Sequence, residues 1–198
     1  MSSSFTVYNL SGNVPSYRCV KELFYSLLTA FLSENGITEE LKPSFELASS
    51  NGRFTPVETE EFIWSEHLQQ TLWVGFEGIA DTFYISVFEN EQLDWEIWEE
   101  ISTKESFPKS KIDTVRACLS NRFYWDIERT AGCGKVSALI YGFMAASLAK
   151  LTNGIVYSCD YWPPGDYSNG CDYAEFMHIY LKNIKSHIST LKDELGNS

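Results

Sequence analysis

Cys159 and Cys171 bracket the stretch CDYWPPGDYSNGC, with Asp160, Asp166 and Asp172 beside them and His178 shortly after. Thiolates, carboxylates and an imidazole are the groups that hold a metal or run a redox couple. Their spacing argues against both uses. Zinc sites usually draw pairs of Cys or His two to four residues apart, so that one tight knuckle brings both ligands to the ion. No such pair occurs in this chain. The expectation is free thiols, no metal and no cofactor.

TAGCGKVS (130–137) lies between a strand-like and a helix-like run, where a phosphate loop would sit. Arg129 occupies the position of that loop's first glycine, and Val136 stands where a Ser or Thr would hold magnesium. The glycines read more simply as a tight turn. His67, His178 and His187 are isolated, and Glu175 with His178 is the kind of helix-face pair that solvent commonly covers. Cys133, between two glycines, lacks the surroundings of an activated nucleophile. No enzymatic activity is expected.

Surface chemistry is the remaining candidate. Trp95 and Trp98 stand among Asp94, Glu96, Glu99 and Glu100; Tyr161, Trp162 and Tyr167 surround Pro163-Pro164-Gly165 beside Asp160 and Asp166. Rings that fill pockets, with carboxylates that steer the encounter, suit an interface with a basic protein. These eleven residues form the expected partner-binding set.

Charge mapping agrees. The net charge is −12, and residues 39–105 hold 16 Asp or Glu against three Lys or Arg, a balance of −13. That window contains all of the net negative charge. Phosphates would be repelled, so no nucleic-acid partner is expected. No apolar run approaches the roughly 18 residues of a membrane span, and the first residues lack a basic then apolar signal pattern. Five cysteines, an odd number, suit a reducing compartment. A cytoplasmic chain without membrane contact is expected.

These residues need a scaffold, and 198 residues fit one globular domain spanning 1–198. Tyr17, Val20, Phe24, Leu27, Leu28 and Phe31 recur at helical spacing between a Ser16 cap and Asn35-Gly36. FTVYNL (5–10) reads as a strand, while 37–70 reads as irregular with a short helix near 58–67. TLWVGFE and TFYISVFE read as an antiparallel hairpin. LDWEIWEEI (93–101) fits both periods; a strand is preferred, with Asp94, Glu96 and Trp98 on its outer face. SKIDTVRACL is helix-like. RFYWDIER, GKVSALIYGFMAASLAKL and GIVYS read as strand, buried helix and strand, a βαβ-like unit with parallel strands. Asp172 and Glu175 form a capping box for one final helix to Leu195. The fold class is α+β, a mixed, mainly antiparallel sheet with helices packed on it.

LTNGIVYSCDYW leading into DYAEFMHIYL resembles bacterial immunity proteins of polymorphic-toxin or contact-dependent inhibition systems, over about residues 122–182. In several such families a strand end with glycine, apolar residues, Tyr, a small residue and Asp precedes a variable loop and a capped helix. The resemblance implies a stoichiometric inhibitor of a cognate toxin, a class of which many members are nucleases with basic clefts. The alternative is a small-molecule binder or enzyme with a pocket lidded by residues 159–171.

Overall fold

In the computed structural model, residues 3–48, 53–57, 64, 68, 70–104, 107–129, 134–160 and 165–196 are described. The chain begins with β1 (Ser3–Tyr8) and α1 (Tyr17–Glu34), then forms β2 (Pro43–Ala48), β3 (Phe54–Pro56), β4 (Thr71–Phe76) and β5 (Ile79–Glu89). Next come α2 (Gln92–Thr103), a 3-10 turn at Lys109–Lys111, α3 (Ile112–Leu119) and β6 (Phe123–Arg129). The last third is α4 (Lys135–Thr152), β7 (Ile155–Tyr157), α5 (Tyr173–Ile184), a 3-10 turn at Lys185–His187 and α6 (Ile188–Gly196). The fold is α+β.

The strands form one seven-stranded sheet in the order β3-β2-β4-β5-β6-β1-β7. Every pairing is antiparallel, so the expected mixed sheet is corrected. β6 and β7 do run in the same direction, but β1 lies between them and bonds to both. Parallel neighbours are thereby replaced by two antiparallel ladders. β2 and β3 were expected to be irregular; β2 has one fully inward side chain, Phe45, too little to show alternation. The expected helix near 58–67 lies outside the described residues, apart from buried Trp64.

Alternation assigns Phe5, Val7, Phe45, Leu72, Val74, Phe83, Ile85, Trp125 and Ile127 to one sheet face, all buried in the main core. α4 lies on that face. Its apolar residues occur all round, the mark of a helix with no solvent side, and every side chain from Val136 to Ala149 is buried. α1, α5 and α6 cover what the sheet leaves. Full burial stabilises each of Ile140, Phe143, Met144 and Leu148 by about 1.5–3 kcal/mol. Ser147 and Thr152 hydroxyls donate to Phe143 and Leu148 carbonyls at 2.7 and 2.8 Å, so these two buried hydroxyls are satisfied within the helix.

The capping signals read from sequence hold. Ser16 Oγ accepts from Cys19 N at 3.2 Å, and Asp172 Oδ1 accepts from Glu175 N at 2.9 Å. One final helix was expected; instead the 3-10 turn splits it into α5 and α6. Phe176, Tyr180 and Ile184 remain buried on the first piece, Leu191 and Leu195 on the second.

Tyr180 locks α5 to α4. Its hydroxyl donates to Leu139 O at 2.7 Å and accepts from Gly142 N at 3.1 Å. A Cβ on Gly142 would fall inside the van der Waals envelope of Tyr180 Cζ, and the ring has no free volume to retreat into. In urea unfolding, Gly142→Ala is expected to cost about 3 kcal/mol by overpacking. Tyr180→Phe is expected to cost about 1–3 kcal/mol by removing two buried hydrogen bonds to the α4 backbone.

Candidate interaction surface

α2 carries Asp94, Glu96, Glu99 and Glu100 of the acidic window, and its helical form reverses the expected orientation. Asp94 Oδ2 accepts from Glu91 N at 2.8 Å, closing the first turn, while Oδ1 accepts from the Tyr8 hydroxyl at 3.3 Å. Asp94 is 9% exposed and Trp98 is 2% exposed. The Trp98 ring lies against Tyr8, Tyr157 and Phe107, with centroids 5.7, 5.1 and 6.3 Å away. Both residues fasten α2 to the second sheet face and are therefore not outer-face contacts as the strand reading had them. α3 completes this smaller core with Val115, Cys118 and Leu119.

What α2 presents outward is Glu96, Glu99 and Glu100, all exposed, and Ile97, at 39% an unusually exposed large apolar side chain. Ile97 was missed because the strand register turned it inward with Leu93 and Trp95. Only the helical period exposes it. Trp95 is half-buried and lines a small groove of about 50 Å³ between α2 and α3, with Ile112, Val115, Arg116 and Leu119.

The second cluster is more structural than its composition suggested. Tyr161 and Trp162 lie outside the described residues. Tyr167, 1% exposed, is a core side chain against Phe5 and Phe176, at centroid distances of 5.3 and 5.4 Å. Asp160 Oδ2 accepts from Ser4 N at 2.6 Å and binds the loop to the start of β1. Asp166 is exposed, but its Oδ1 accepts from Ser168 N and Oγ at 3.2 and 2.7 Å, shaping its own turn.

Cys159 is exposed and Cys171 is buried, and both are free thiols. Burial pushes the Cys171 thiol up to about 11, away from nucleophilic use. Its backbone exchanges hydrogen bonds with Val156 at 2.8 and 2.7 Å, shielding the β7 edge. Among the described residues no group of three or more His, Cys, Asp or Glu is placed to hold a metal. Nor is any helix among them long and apolar enough to cross a membrane.

The glycine turn before α4 resolves into a filled anion site. Residues 130–133 lie outside the described set, but Gly134 and Ser137 are clear. Asp81, from β5, accepts from Gly134 N at 2.9 Å, Ser137 N at 2.8 Å and Ser137 Oγ at 2.6 Å. Its carboxylate occupies the helix N-terminus, where a phosphate would otherwise find donors. A Cβ on Gly134 would lie 2.5 Å from Asp81 Oδ2, so this close approach requires glycine.

A further carboxylate sits on the second sheet face. Burial raises Asp126 to about 6, opposed by the hydrogen bond from Thr6 Oγ1 at 2.6 Å and assisted by the charges of Glu128 and Asp94.

Compared with protein-family models, curated proteins and solved structures, the chain matches none.

Two substitutions check this electrostatic description. Asp81→Ala removes three hydrogen bonds, two of them from buried Ser137, and is expected to cost about 3 kcal/mol in chemical denaturation, with Asp81→Asn losing less. Asp126 takes up its proton more readily folded than unfolded, so its contribution is fully present below about pH 4 and is lost as pH rises to about 6. Asp126→Asn is accordingly expected to match the parent near pH 3.5 and to exceed it by about 2 kcal/mol at pH 7. Denaturation curves at the two pH values measure the difference.

Proposed function

We propose that the chain is a bacterial immunity protein that binds a cognate toxin in the cytoplasm, one to one, and inhibits it by occupancy. The observation that carries this reading is the outward side of α2. Glu96, Glu99 and Glu100 are exposed on the same helix as the exposed Ile97, within the section of chain that holds all the net negative charge. An apolar anchor in an acidic field suits a basic protein surface, because the field speeds the encounter and the anchor slows dissociation. Nuclease toxins have such basic clefts. The resemblance of residues 122–182 to immunity proteins supports the same partner class.

The test is co-expression with the product of the neighbouring gene, followed by purification and a growth assay. A one-to-one complex together with rescue of growth is the expected result; absence of both contradicts the reading. Within the complex, the combined reversal Glu96→Lys, Glu99→Lys and Glu100→Lys is expected to slow association at least about tenfold at low salt. Thermal unfolding of the free variant should change little, since all three side chains are exposed. An unchanged association rate would remove α2 from the interface.

A further inference from the structure

Among the described residues, α2 and α3 cover one end of the second sheet face. At the other end the cross-strand register forms a continuous row: Glu46 opposite Trp73, Trp73 opposite Tyr84, and Tyr84 opposite Glu128. The rings of Trp73 and Tyr84 are 5.3 Å apart between centroids, and Phe54 meets Trp73 edge-on at 5.6 Å. Trp73 belongs to neither apolar core, and Phe54, on the edge strand, is 51% exposed. With neighbouring strands about 4.8 Å apart, the backbone positions of Glu46 and Glu128 at the two ends of the row stand about 14 Å apart.

We propose that this row docks an arginine-bearing segment of a basic partner protein. The choice of occupant follows from charge and shape. The strand residues facing this side include Glu46, Asp126 and Glu128 and no Lys or Arg. A guanidinium can lie flat on an indole or phenol ring while its N–H groups reach a carboxylate, and the row offers two rings between two carboxylates. An apolar partner would strip water from both carboxylates without compensation. Phosphates of a nucleic acid would meet like charge. Lysine presents a point charge that gains less from two flat rings in succession.

The proposal rests on the basic partner of the immunity reading but is tested without any toxin. A synthetic decaarginine peptide is titrated into the full chain at about 150 mM salt, with decalysine as comparator, and heteronuclear NMR maps the perturbed residues. Decaarginine is expected to bind at least about tenfold more tightly than decalysine, perturbing β2, β4, β5 and β6 around the row. Trp73→Ala, or the pair Glu46→Gln and Glu128→Gln, is expected to weaken it about tenfold or more. The pair Glu22→Gln and Glu34→Gln, both exposed on α1, removes the same charge and is expected to change binding less than about twofold.

Equal losses in the two glutamine pairs, equal affinity for both peptides, or perturbations centred elsewhere would overturn the proposal. Trp73→Phe keeps a ring and should retain most of the affinity; if Trp73→Ala fails to fold, this variant and the glutamine pairs still decide. A toxin complex without peptide binding at the row would sink the docking site alone. Peptide binding at the row without any toxin complex would sink the immunity reading alone.

Discussion

Helix α4 has no polar stripe, so apolar surface must be supplied on every side of it. The sheet provides one side, through Phe5, Ile85 and Ile127, and α1, α5 and α6 provide the others. Two polar contacts fix the helix inside this enclosure. Asp81 compensates the orphan N–H groups at its start, and the Tyr180 hydroxyl enters beside Gly142 at its middle. Each uses a glycine as the point of closest approach, since a methyl group at either position would collide with the partner. Position along the helix axis is thus set by hydrogen bonds and not by shape alone.

Enclosing α4 commits one sheet face and three other helices, and that commitment shapes the surface left over. Among the described residues, the second face is covered at one end by α2 and α3 around Tyr8 and Trp98. Its other end carries two rings on adjacent strands flanked by carboxylates, and the outer side of α2 carries more carboxylates. Tyr167, between β7 and α5, belongs to the enclosed side instead and enters the core with Phe5 and Phe176. Composition alone placed both aromatic clusters at the surface, whereas packing divides them.

Short-range patterns were readable because they are local. α1, α4, the β4–β5 hairpin and the Asp172–Glu175 box each depend on residues within one element. α2 was not, because Leu93, Trp95 and Ile97 satisfy a strand period and Leu93, Ile97 and Ile101 a helical one. The deciding contact, Asp94 to Tyr8, spans 86 residues and has no local trace. The burial of Trp98 under Tyr8, Tyr157 and Phe107 is equally non-local. The β1 strand inserted between β6 and β7 escaped for the same reason: the strand–helix–strand order is visible in sequence, but what comes between its strands is not.

Native-state hydrogen exchange across α4 tests most directly whether this enclosure organises the fold. Amides from Phe143 to Ala149 should exchange only through global unfolding, with an opening free energy equal to that from denaturant unfolding of the whole chain. Exchange of those amides at a clearly lower free energy, while β5 and β6 remain protected, would mean that the sheet stands without α4 and would contradict the account.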